Sequence, residues 1–166
     1  SLYVQRQCFE QVAEGVARHA DSLRLGAGLD PASQLGPLIN ARQREQVQGY
    51  IDRARAAGAT LLSRRESPVS DGYFVAPAVL VDVAQNDPLV QEEIFGPVLA
   101  VLPFDDQEEA IALANDSRYG LAASLWSESL GRVHQVVPQL KCGKVSVNTA
   151  GFPYPCLLYT SDAADE

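Results

Sequence analysis

The run Val98-Leu99-Ala100-Val101-Leu102-Pro103-Phe104 decides the architecture, because it is apolar at odd and even positions alike and so reads as a strand buried on both faces. Such a strand needs a layer on each side, and the flanking sequence supplies helices. Downstream, Asp106 to Ala114 reads as a helix with acids at its start. Upstream, Phe9, Val12, Val16, His19/Ala20 and Leu23 recur at three- and four-residue spacing, which predicts an amphipathic helix from Gln7 to about Leu25, stopped by Gly26-Ala27-Gly28. A second helix is expected to start at Asn40, a good N-cap, and to turn Val47, Tyr50, Ile51 and Ala54 inward until Gly58. Short strands are expected at Thr60 to Leu62, at Tyr73 to Val75 after a polar loop from Arg64 to Gly72, at Leu121 to Trp126 (buried) and at Lys144 to Val147. A further helix is expected from Leu130 to Leu140. Helices and short apolar strands in alternation point to the α/β class, as a three-layer fold with a mostly parallel sheet and flanking helices.

Composition narrows the function. The chain has 166 residues, 46% of them apolar, enough for a sizeable core, and no apolar run long enough to span a bilayer. No membrane partner is expected, and Ser1-Leu2-Tyr3-Val4 lacks the positively charged region followed by an apolar one that marks a secretory leader, so the expected location is cytoplasmic. With 21 acidic against 13 basic residues and net charge −8, no basic stripe is available to neutralise phosphates, which argues against nucleic acid. Cys8, Cys142 and Cys156 are too few and too scattered for a disulfide framework or a zinc site, so no metal is expected. The segment Cys156 to Glu166 fits no element begun upstream and resembles the translation of a sequencing-library adapter. It is expected to be a non-native tail, leaving residues 1–155 as one partial domain without an internal linker.

Nucleophile-elbow, phosphate-loop, His-Glu-x-x-His and Cys-x-x-Cys patterns are absent. The informative stretch is Gln91-Glu92-Glu93-Ile94-Phe95-Gly96-Pro97-Val98, followed by Asn115-Asp116-Ser117-Arg118-Tyr119-Gly120-Leu121-Ala122-Ala123. Here the chain resembles the aldehyde dehydrogenase superfamily. Gly36-Pro37-Leu38-Ile39, Gly72-Tyr73-Phe74-Val75-Ala76-Pro77 and Gly143-Lys144-Val145-Ser146-Val147-Asn148 agree in order, so the resemblance covers Ser1 to Asn148.

The resemblance implies an NAD(P)-dependent oxidoreductase. A cysteine thiolate attacks an aldehyde, hydride leaves the thiohemiacetal for NAD or NADP, and water hydrolyses the thioester to a carboxylic acid. Glu93 is similar to the carboxylate that accepts hydrogen bonds from both nicotinamide-ribose hydroxyls, Phe95 to the aromatic packed at the same end of the cofactor, and Gln43 to a polar contact to that ribose. Asn148 ends the strand that lines the substrate tunnel and is expected near the aldehyde, or else is a satisfied strand-end amide. By residue type alone, Glu92-Glu93 would be a solvated turn and Phe95 a core residue.

The family pattern places the nucleophile a few residues before the Leu2-Tyr3-Val4 strand, so the chain is expected to be a catalytic-domain fragment without catalytic residues of its own, and inactive alone. Cys8 and Cys142 are expected to be small hydrophobes, and His19 and His134 surface or half-buried. The full enzyme is expected to be a homo-oligomer acting on a small aldehyde. The resemblance leans toward bacterial enzymes for aromatic or betaine-type aldehydes, with phenylacetaldehyde the particular expectation. The competing expectation is a non-catalytic truncated product or interaction module with the same fold.

Overall fold

The computed structural model describes residues 1–67 and 72–149; the expectations for Cys156 and for residues 156–166 lie outside them. The chain divides into two compact units, Ser1–Phe104 and Asp105 onward.

In the first unit, β1 (Leu2–Gln5), β2 (Thr60–Leu61), β3 (Ala78–Val81) and β4 (Val98–Phe104) form one sheet in the order β1-β4-β3-β2. β4 is central and parallel to both neighbours, with Leu2 opposite Val101 on one side and Leu80 opposite Ala100 on the other; only the edge strand β2 runs antiparallel. The three consecutive residues Ala100, Val101 and Leu102 are all buried, so both faces of β4 are covered, as its composition predicts.

Alternation along the strands assigns the two layers. Val79, Val81 and Val101 point to one side, where they meet Val4 and the Ala13, Ala17 and Ala20 stripe of α1 (Phe9–Ser22). Ala78, Leu80, Ala100 and Leu102 point to the other, against Val47, Tyr50, Ile51 and Ala54 of α2 (Ala41–Ala56). This is the expected three-layer, mostly parallel arrangement. Leu80, Val47 and Val101 are its most completely enclosed side chains, and removing each from water contributes roughly 1.5–3 kcal/mol.

Several sequence expectations need correction. α1 begins at Phe9 behind a 3-10 turn at Arg6–Cys8, and its fully buried stripe is alanine, with Phe9, Val12 and Val16 at the margins. Small side chains let the helix lie close to the sheet. Tyr73 to Val75 is not a strand; the ladder starts at Ala78, immediately after Pro77, which has no amide hydrogen to donate. The one-turn helix α3 (Pro88–Gln91), with Asp87 as N-cap accepting from Leu89 N at 2.8 Å, is too short to leave a periodic signal.

In the second unit, α4 (Gln107–Asn115) starts on a reciprocal cap: Asp106 accepts from Glu109 N at 2.9 Å, and the Glu109 carboxylate accepts from Asp105 N at 2.6 Å. β5 (Ala122–Leu125) pairs in parallel with β6 (Lys144–Val147) in a two-stranded sheet, Ala123 opposite Val145. β5 is not the buried strand expected: Ala122 and Ser124 are exposed, and Leu121 and Trp126 at its ends are 48% and 64% exposed. A two-stranded sheet covers too little area to enclose both faces. α5 (Leu130–Val136) is shorter than expected and passes into a 3-10 turn at Val137–Gln139, where Pro138 supplies no helical N–H.

The Asn115 to Ala123 motif has a structural reason here. The Asn115 side chain donates to Gln139 O and accepts from Lys141 N, both at 2.7 Å, tying the end of α4 to the approach to β6. Gly143 N donates to Gly120 O at 2.7 Å, and a β-carbon on Gly120 would come within 3.0 Å of Lys141 O. The motif is a staple between the elements on either side of α5.

Candidate functional site

Between α3 and β4 runs the loop Glu92–Pro97, and its geometry is over-determined. Glu92 N donates to Pro88 O at 2.9 Å at one end; at the other, Pro97 O accepts from Ala78 N of β3 at 2.8 Å. Ile94 is buried in the core against α2 and acts as its anchor. One face of α2 holds the rest, through residues spaced as i, i+4 and i+7 that share one side of a helix.

Gln43 is the first of these. Its side-chain amide donates to Ile94 O at 2.8 Å and to Phe95 O at 3.0 Å, committing both amide hydrogens to the loop, while its own backbone N–H is capped by Asn40 Oδ1 at 2.8 Å. Val47 is the second, fully buried beneath Gly96. Tyr50 is the third: its hydroxyl donates a hydrogen bond to Glu92 Oε2, and the Arg53 guanidinium lies 4.7 Å from its ring centroid. The hydrogen bond to Glu92, more than burial, raises the Tyr50 pKa above its ordinary value.

Phe95 points outward, 75% exposed at φ +51°. A non-glycine residue in the left-handed region costs on the order of 1–3 kcal/mol and persists only where its surroundings impose it. Ile94 on one side and Gly96 over Val47 on the other impose it here. The alternative that Phe95 is a core residue is therefore wrong. Glu93 is exposed as well, and no hydrogen bond or ion pair among the described residues occupies its carboxylate. An unengaged carboxylate on a fixed backbone beside an exposed ring can accept two hydrogen bonds from a vicinal diol while the ring packs against the same molecule.

Asn148 stands in the second unit at φ +53°, just past β6. Its Oδ1 accepts from Ser127 N at 2.9 Å and its Nδ2 donates to Ser127 O at 3.0 Å, so both ends of the amide are engaged with one residue. Cys8 is exposed at the head of α1, its thiol on Gln5 O at 3.4 Å, and Cys142 is half-buried with its thiol on Lys144 O at 3.4 Å. His19 and His134 are exposed, as expected.

Sequence reasoning assigned Tyr50 to the core and left Glu92 without a role. The signal that would have joined them is the 43, 47, 50 spacing on α2. An apolar groove of about 270 Å³, lined by Val16, His19, Leu23, Leu35 and Leu99 among others, also touches Gly96 and Pro97. Its lining is almost entirely apolar, unlike the Glu93 and Phe95 face of the loop. Among the described residues no helix is long and apolar enough to cross a membrane, and no cluster of His, Cys, Asp and Glu could hold a metal ion.

The model of the aldehyde dehydrogenase family matches residues 1–157, and the chain belongs to that family. It is 44% identical over 147 residues to the betaine aldehyde dehydrogenase of Cereibacter sphaeroides, covering 89% of this chain and 30% of that protein. It is 40% identical over 147 residues to a putative aldehyde dehydrogenase of Bacillus subtilis, with the same coverage. Among solved structures, the NAD+ complex of an aldehyde dehydrogenase from Bacillus cereus superposes with TM-score 0.87 at 41% identity, covering 91% of this chain and 31% of that one. Betaine aldehyde dehydrogenase from Staphylococcus aureus in complex with NAD+ gives 0.85 at 35% identity, over 92% and 31%. The chain thus spans about 30% of the length of the curated relatives it matches.

Proposed function

We propose that these residues are part of the catalytic domain of an NAD(P)-dependent aldehyde dehydrogenase that oxidises an aldehyde to a carboxylic acid, and that the Glu92–Pro97 loop holds the nicotinamide ribose. The observation that carries this is the exposed, unengaged Glu93 carboxylate beside an outward Phe95 held at φ +51°. NAD(P)+, when bound, supplies the hydride acceptor. Glu93 accepts from both ribose hydroxyls, Phe95 packs against the same end of the cofactor, and the Gln43 side-chain oxygen borders the ribose. Because the loop is fixed before binding, little conformational freedom is lost when the cofactor arrives.

The nucleophile is assigned to neither Cys8 nor Cys142, whose thiols are turned onto backbone carbonyls. A cysteine outside these 166 residues attacks the aldehyde and carries the thioester that water hydrolyses, so the 166 residues alone do not turn over. Asn148 is proposed to border the aldehyde with its amide locked by Ser127, shaping the wall rather than donating to substrate. The relatives that act on betaine aldehyde make a small cationic aldehyde the first substrate to try, with phenylacetaldehyde second. The proposed setting is the cytoplasm and the proposed assembly a homo-oligomer, both resting on sequence alone.

The test is the gene carrying this segment, cloned with its flanking sequence, expressed, and assayed for NAD+ and NADP+ reduction on an aldehyde panel. Turnover that falls in Glu93→Gln through cofactor KM or hydride-transfer rate supports the assignment. A protein that neither binds cofactor nor oxidises any aldehyde refutes it in favour of a non-catalytic module.

A further inference from the structure

The position of Glu93 is set by its neighbours, since no hydrogen bond or ion pair among the described residues engages its own side chain. Its two neighbours are held on opposite terms. Ile94 is anchored by burial and by the Gln43 amide on its carbonyl. Glu92 is exposed, and its carboxylate accepts from the hydroxyl of Tyr50, a residue of the buried core. The phenol itself has little freedom: its ring is packed in the α2 side of the core and faces the Arg53 guanidinium.

We propose that Tyr50 is a positioning residue for cofactor binding, orienting Glu93 through its hydrogen bond to Glu92 while Gln43 fixes the two carbonyls that follow. This rests on the reading of Glu93 as the ribose carboxylate. Gln43 and Tyr50 thus clamp the loop on both sides of the functional acid, one on its backbone and one on the preceding side chain, both from a helix rigidly packed on the sheet. Rigid support from an element is what keeps a binding group within a few tenths of an ångström of its working place. Glu92 then acts as the link that Tyr50 holds, which gives the two consecutive acids different jobs: the first faces back to α2, the second outward.

A purely structural hydrogen bond would affect stability alone, and the two roles separate in kinetics. In the enzyme carrying this segment, Tyr50→Phe keeps the buried ring and removes the hydroxyl. The expected result is a rise in cofactor KM of roughly three- to tenfold, the size of one lost hydrogen bond, with aldehyde KM changed less than about twofold. Glu92→Gln, whose amide oxygen still accepts from the phenol, is expected to stay near the parent, whereas Glu92→Leu is expected to reproduce Tyr50→Phe, and the double variant Tyr50→Phe/Glu92→Leu to add little further. Glu92 is exposed, so its variants carry the same test should Tyr50→Phe fail to fold.

A Tyr50→Phe or Glu92→Leu enzyme with lowered Tm and unchanged cofactor KM overturns the positioning role. Glu93→Gln, measured alongside, separates this from the underlying reading: if it weakens cofactor use while the Tyr50 and Glu92 variants do not, only the positioning proposal falls, and if Glu93→Gln changes nothing, the ribose assignment falls with it.

Discussion

Gly96 lies directly on Val47: a β-carbon at position 96 would come within 2.6 Å of the Val47 Cγ2 and 2.8 Å of its Cγ1. Val47 is fully buried and has no room to retreat. The loop that carries Glu93 and Phe95 can therefore reach its place only over a residue without a side chain.

Gly96→Ala should accordingly destabilise the protein by about 1–3 kcal/mol, the usual cost of overpacking a filled site, and raise cofactor KM as the loop lifts. Val47→Ala in the same chain should restore part of both losses by vacating the methyls. Denaturant unfolding of the two single variants and the double, in a mutant cycle, measures the coupling. Additive effects would mean that the contact does not set the loop height.

The staple in the second unit gives an independent stability prediction. Asn115→Leu removes a donor to Gln139 O and an acceptor for Lys141 N together. The expected cost is about 1–3 kcal/mol, reduced where water reaches the freed groups. Asn115→Asp retains the acceptor and should lose less. Thermal unfolding of the three proteins decides the order.

The Tyr50 phenol predicts an alkaline dependence. Its pKa is raised in the folded protein, first by the hydrogen bond to Glu92, so folding holds the phenolic proton more tightly than the unfolded chain does. The stability that this provides is fully present below the ordinary phenol value of 10.0 and is lost as pH rises from there through the raised folded value. Stability measured from pH 8 upward should fall more steeply for the parent than for Tyr50→Phe, and the two curves should run parallel at neutral pH.

Cys8→Ser and Cys142→Ser should leave turnover of the enzyme carrying this segment within about twofold, since neither thiol is a nucleophile in this reading. Loss of activity in either variant, with its fold intact by circular dichroism, would reassign the chemistry to this chain.

Much of the fold was legible in the sequence because burial on two faces leaves a strong mark. Val98–Phe104 could only be a central strand, and the 47, 50, 51, 54 pattern could only be one helix face. The errors fell where a local signal competed with a stronger one. Tyr73 to Val75 looks like a strand by residue type, yet Pro77 pushes the ladder on to Ala78. Leu121 to Trp126 is apolar enough for a core, but its sheet has two strands and leaves it exposed. Glu93 and Phe95 were found only through a family motif, since an exposed acid and an aromatic beside a glycine carry no periodicity. The outward turn of Phe95 and the hold of Tyr50 on Glu92 depend on contacts 42 and more residues apart, which no local pattern encodes.

The most direct test of the central claim is the cofactor KM and the single-turnover hydride-transfer rate of Glu93→Gln in the enzyme carrying this segment, with aldehyde saturating. A carboxylate that accepts from both ribose hydroxyls predicts at least a tenfold loss in one of the two, given that hydrogen bonds to a charged group contribute about 1.5–3 kcal/mol, with Tm nearly unchanged because the exposed Glu93 carboxylate makes no hydrogen bond or ion pair among the described residues. Parent-like values for both parameters would contradict the account and return Glu92-Glu93 to an ordinary solvated turn.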